Sequence, residues 1–102
     1  MDDLRKRKQM MKAIDLLSIM SHPVRLSILC NLHHSGEMSV SQIVAAEEGC
    51  ASQSQISQFL ALMRGQKMVK TRREGQSVYY RIASDETRAV IDALYNIYCS
   101  GK

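Results

Sequence analysis

Apolar positions recur with helical spacing over most of the chain and with strand spacing over one short stretch. Between residues 4 and 20, Met10, Ile14, Leu17 and Met20 fall on one helix face. Pro23 suits the first turn of a second helix, where its missing N–H leaves no bond unmade. That helix runs to about His33; Val24, Ile28 and Leu32 form one stripe while Leu26, Leu29 and Cys30 fill other faces, as in a buried central helix. His34-Ser35-Gly36 ends it. Ser39 or Ser41 caps a short third helix through Val40, Ile43, Val44 and Ala46, which closes at Glu47-Glu48-Gly49. Ser52-Gln53-Ser54-Gln55 has the form of a capping box and opens a fourth helix, with Ile56, Phe59, Leu60 and Met63 inward and Gly65 as its stop.

The period then changes. Val78, Tyr80 and Ile82 alternate with Tyr79 and Arg81, so residues 68–73 and 78–82 are expected to form a hairpin around Glu74-Gly75-Gln76-Ser77. Ser84 caps a last helix, with Asp85 and Glu86 in the turn where the helix dipole favours acids. Thr87, Val90, Ile91, Leu94, Ile97 and Tyr98 make its main face, too wide to leave in water. Together with the first helix, this predicts a homodimer interface at Met10, Ile14, Leu17, Val90, Ile91, Leu94 and Ile97.

Four helices, a hairpin and a fifth helix make a mostly α chain with a β-hairpin wing, the order of a winged helix-turn-helix. The 102 residues suit one domain, 1–102. The third and fourth helices would be the helix-turn-helix. Gln53, Ser54, Ser57 and Gln58 would then face the major groove, and Arg72, Arg73 and Gln76 of the wing would lie near the minor groove or backbone.

Charge agrees with that reading. Lys and Arg number 14 against 10 Asp and Glu, a net +4, and a basic small domain leans toward nucleic acid. Arg64, Lys67, Lys70, Arg72, Arg73 and Arg81 gather around the wing. No apolar run is long enough to cross a bilayer, and the charged residues 1–8 precede no signal-type apolar segment, so a cytoplasmic protein without membrane contact is expected.

In four stretches the sequence resembles the ArsR/SmtB-type bacterial repressors. They are Ser21-His22-Pro23-Val24-Arg25-Leu26-Ser27-Ile28-Leu29, Gly36-Glu37-Met38-Ser39-Val40, Ser52-Gln53-Ser54-Gln55-Ile56-Ser57-Gln58-Phe59-Leu60 and Arg72-Arg73-Glu74-Gly75-Gln76-Ser77-Val78-Tyr79-Tyr80. The resemblance covers about residues 10–99. It implies a homodimer built from the first and last helices, an inverted-repeat operator in double-stranded DNA, and release on arrival of an inducer. The cysteine pair of the arsenic sensors would fall at Met38-Ser39-Val40, which has none, and no histidine follows His34 for a last-helix zinc site. Cys30 in the second helix and Cys99 in the last match the dithiol persulfide-sensing branch, the BigR/HlyU-like regulators. The resemblance therefore implies sensing thiols at Cys30 and Cys99, bridged by reactive sulfur species to release DNA. Arsenite or another thiophilic metal held by cysteines, and peroxide, are the alternative inducers.

Cys50, before the recognition helix, departs from the two-cysteine pattern; it reads as an incidental thiol or a third site for thiol chemistry. Cys30, His33 and His34 share a helix face and read as a helix end with solvated histidines before they read as a metal site. With no C-x-x-C pair, no phosphate loop and no acidic pair in a motif, neither an enzyme, a cofactor nor a bound metal is expected.

Overall fold

The computed structural model describes residues 2–98, so the expectation placed on Cys99 lies outside the described residues. The elements run α1 (Asp2–Met20), α2 (Pro23–Ser35), β1 (Met38–Ser39), α3 (Val40–Ala46), α4 (Gln53–Gly65), β2 (Val69–Glu74), β3 (Ser77–Ile82) and α5 (Asp85–Tyr98).

Local chemistry fixes the helix ends. His22 caps α2, its Nδ1 accepting the Val24 N–H at 3.1 Å, and Pro23 follows in the first turn. Gly36, at φ +86°, closes α2 by donating its N–H to the Leu32 carbonyl at 2.8 Å. Ser39 with Gln42 and Ser52 with Gln55 form reciprocal capping boxes, so α3 and α4 open in the same way.

The hairpin pairs Arg72 with Tyr79 and Glu74 with Ser77, and Gly75 turns it at φ +61°. The sheet has a third strand that the residue pattern did not indicate. Met38 and Ser39 pair antiparallel with Tyr80 and Tyr79, giving the order β1-β3-β2. The strand leading into α3 therefore belongs to the wing sheet and ties the helix-turn-helix to the wing.

α2 is the central element. Ile28, Leu29 and Leu32 meet Ile43 of α3, Ile56, Leu60 and Met63 of α4, and Ile82 and Ile91 beyond them in one core. Ile91 is fully buried there and offers no surface to a second chain, which removes it from the expected dimer face. The rest of that face divides. Val90 and Leu94 are half-buried, while Ile97 is exposed. On α1 every residue from 3 to 15 is exposed, so Met10 and Ile14, with Leu17 just beyond, form an apolar stripe that this protomer does not cover.

Candidate nucleic-acid interface and sensing helix

The turn between α3 and α4 is built on Glu47. Its backbone carbonyl accepts the N–H groups of Cys50 at 2.9 Å and Ala51 at 3.2 Å. Gly49, just before Cys50, takes φ +86°, which a side chain would resist. The turn launches α4 with Ile56, Leu60 and Met63 in the core and Gln53, Ser54, Ser57 and Gln58 exposed on the opposite side. Gln55 is spent on its capping box, its side-chain oxygen accepting the Ser52 N–H at 2.9 Å. The four exposed residues fall in two successive turns and present short donors and acceptors with no apolar bulk between them, a surface suited to base edges.

The wing treats its two expected arginines differently. Arg72 donates from Nε to Glu37 Oε2 at 2.9 Å, from Nη2 to Glu37 Oε1 at 2.9 Å, and from Nη1 to Glu74 Oε1 at 2.7 Å. Its guanidinium also lies over the Tyr79 ring, 4.6 Å from the centroid. Hydrogen bonding from Arg72 holds the Glu37 carboxyl below the usual glutamate range. Arg73 and Gln76 are exposed and, among the described residues, their side chains make no hydrogen bond or ion pair. Lys70 and Arg81 face each other across the hairpin, both exposed.

Cys30 sits half-buried on α2, against the core. One turn further on, α2 meets α5. His33 Nε2 lies 3.2 Å from Asp92 Oδ1, and His34 Nδ1 lies 3.3 Å from the Tyr95 hydroxyl. The His34 and Tyr95 rings stack at 5.9 Å. The two histidines thus contact α5 at the end of α2, His33 half-buried and His34 still exposed. In sequence Cys99 stands four residues after Tyr95. Cys50 is exposed in the helix-turn-helix turn. Among the described residues, no three His, Cys, Asp or Glu side chains gather as a metal site.

Two residues that shape this region carried no signal in the residue pattern. Glu37 had no visible role until the fold set it against Arg72, 35 positions away. Glu47 read as a charged helix end, yet it is 3% exposed and accepts hydrogen bonds from Ser27 Oγ at 2.7 Å and Asn31 Nδ2 at 3.5 Å.

No family model matches the chain. It is 41% identical over 92 residues to the transcriptional activator HlyU of Vibrio cholerae, covering 90% of this chain and 82% of that protein. The structure of reduced HlyU from that organism superposes with a TM-score of 0.86, covering 94% of this chain and 98% of the other. The biofilm growth-associated repressor of Agrobacterium fabrum is 39% identical over 85 residues, 83% of this chain and 70% of its own. A homodimeric winged helix-turn-helix DNA-binding domain from Mycobacterium bovis, described as a possible ArsR-family transcriptional regulator, superposes with a TM-score of 0.77 at 26% identity, covering 91% of this chain and 83% of that one.

Proposed function

The chain belongs to the ArsR/SmtB-type winged helix-turn-helix transcription regulators, DNA-binding proteins and not enzymes, and from that premise we propose a homodimeric repressor that releases its operator when reactive sulfur species bridge Cys30 and Cys99. The observation that carries the proposal is the place of Cys30. It is half-buried on the helix that meets α5 at His33 and His34 and meets the helix-turn-helix through Ser27. A covalent tie made there acts on both the dimer-forming helix and the reading head.

The chemistry balances with an inorganic polysulfide as oxidant. One cysteine thiolate attacks a sulfane sulfur and hydrosulfide departs, leaving a hydropolysulfide on that cysteine. The second thiolate attacks the inner sulfur of that chain and a second hydrosulfide departs. The two thiols are oxidised to a polysulfide bridge, and the polysulfide is reduced to sulfide. A bridge with added sulfur spans a wider gap than a direct disulfide, which needs Cα atoms within about 7 Å.

In the reduced dimer, α4 of each protomer enters a major groove of the inverted repeat, with the two heads about 34 Å apart. Gln53, Ser54, Ser57 and Gln58 read bases, while Arg73 and Gln76 of the wing touch the backbone or minor groove. Arg72 shapes the wing through Glu37 and Glu74 instead of meeting a phosphate. The dimer face joins the α1 stripe of Met10, Ile14 and Leu17 to Val90, Leu94 and Ile97 of α5.

Serine replacements test the thiol assignment. Cys30→Ser and Cys99→Ser each bind operator when reduced and keep it after polysulfide treatment, while Cys50→Ser responds like the wild type. Loss of the response in Cys50→Ser alone would make the turn thiol the sensor.

A further inference from the structure

Glu47 is the one buried acidic residue among those described, at 3% exposed. Burying a carboxyl group costs several kcal/mol unless hydrogen bonds replace its water. Among the described residues no Lys, Arg or His pairs with it; its partners are the Ser27 hydroxyl and the Asn31 amide, both on α2 and both directed at the same oxygen, Oε2. An apolar residue would fill this position between α2 and α3 without that cost, so stability alone does not account for a glutamate.

The backbone of Glu47 has a second task. Its N–H reaches the carbonyls of Ile43 and Val44 and ends α3, while its carbonyl receives Cys50 and Ala51 and opens the turn into α4. The residue whose main chain sets the exit of the recognition helix is therefore hooked by its side chain to the central helix. Apolar packing between α2 and α3 is non-directional and tolerates small rotations. A 2.7 Å hydrogen bond from Ser27 to a fixed oxygen does not.

We infer that Glu47 is a positioning residue for DNA recognition: through Ser27 and Asn31 it locks the angle of the helix-turn-helix against α2, and so the direction in which Gln53, Ser54, Ser57 and Gln58 meet the groove. A dimer reading two half-sites at fixed spacing is sensitive to that angle. Non-specific binding through phosphates is not, because it tolerates many orientations.

The test uses the reduced full chain and a duplex that the wild type has selected from a random-sequence pool, compared with unselected duplex at low salt. Glu47→Met fills the volume without an acceptor. It is expected to unfold thermally no earlier than the wild type and to bind unselected duplex equally, but to lose about tenfold or more on the selected duplex. Glu47→Gln keeps an oxygen acceptor for Ser27 and is expected to restore binding to within about threefold of wild type. Ser27→Ala lowers selected-duplex binding in the wild type, and lowers it no further when added to Glu47→Met. A purely structural residue would show the reverse: lower stability, with selected and unselected affinities falling together. If Glu47→Met binds the selected duplex like the wild type, or if Gln rescues no better than Met, the positioning role is wrong. Should Glu47→Met fail to fold, Ser27→Ala decides alone, with unchanged selected-duplex affinity overturning the inference.

Discussion

Arg72 and Arg73 are neighbours on β2, yet they face different environments. Arg72 is forked onto Glu37, with Glu74 at 2.7 Å and the Tyr79 ring beneath it. Arg73 points the other way and, among the described residues, its side chain touches no hydrogen-bonding partner. Alternation along a strand puts adjacent side chains on opposite faces, so one wing cannot offer both to the same phosphate run. The forked guanidinium is bound to the protein, and its neighbour is the one proposed to meet DNA.

Neutralising a phosphate contact removes one released counterion from the binding equilibrium. Arg73→Ala is expected to lower the salt slope of DNA binding by about one ion, and Arg72→Ala to leave it within about half an ion. Titrations of a fixed duplex at several salt concentrations measure both. A slope that falls for Arg72→Ala and not for Arg73→Ala would reverse the assignment.

The reading face is tested at its first turn. Replacing Gln53 and Ser54 together by Ala removes two exposed polar side chains and leaves the capping box of Ser52 and Gln55 intact. Specific affinity should fall by about tenfold to a hundredfold, as for one or two lost base contacts, while non-specific affinity changes little. Equal losses on both duplexes would show that these residues do not read sequence.

Two isoleucines separate the proposed dimer surface from the core. Ile14 is 51% exposed in the protomer and Ile91 is fully buried. Ile14→Asp is expected to give a folded monomer, because its carboxylate meets water once the partner leaves. Ile91→Asp is expected to prevent folding, because the charge would be sealed in the core. Light scattering with circular dichroism distinguishes the outcomes; a folded dimer of Ile14→Asp would remove α1 from the interface.

The wing clamp has an acid limit. Because Arg72 lowers the folded-state pKa of Glu37, the pair contributes stability above the unfolded carboxyl value and loses it as pH falls through the lowered one. Thermal midpoints followed from about pH 6 down to about pH 3 should fall less steeply in Glu37→Gln than in the wild type. Arg72 is exposed and Glu37 half-buried, so water and ions still reach the pair and added salt should shrink the difference. Parallel pH profiles would mean that the clamp adds nothing to the folded state.

Much of this architecture is legible in the sequence because it rests on short-range signals. The capping box at Ser52 and Gln55, Pro23 at the start of α2, and the alternation from Val78 to Ile82 each span six residues or fewer. The polar face of α4 follows from the same helical period that buries Ile56, Leu60 and Met63. What was not legible depends on distant partners. β1 is two residues long, too short for any period, and exists because Tyr79 and Tyr80 lie beside it. The environment of Arg72 depends on Glu37, and the burial of Glu47 depends on Ser27, 20 positions earlier. Ile91 shares the periodicity of an interface stripe, and only three-dimensional packing shows that its own core claims it.

The central claim is that a covalent bridge between Cys30 and Cys99, and no other modification, releases the operator. The most direct measurement follows one sample of reduced protein on operator DNA as inorganic polysulfide is titrated in, reading intact mass and bound fraction together. Bridging predicts that the bound fraction falls in step with one species, whose mass has gained sulfur and lost two hydrogens, and that reductant restores both. A hundredfold loss of affinity, about 2.7 kcal/mol, is enough for such a switch. Operator that stays bound while this bridged species accumulates, or that is released with no linkage between Cys30 and Cys99, would contradict it.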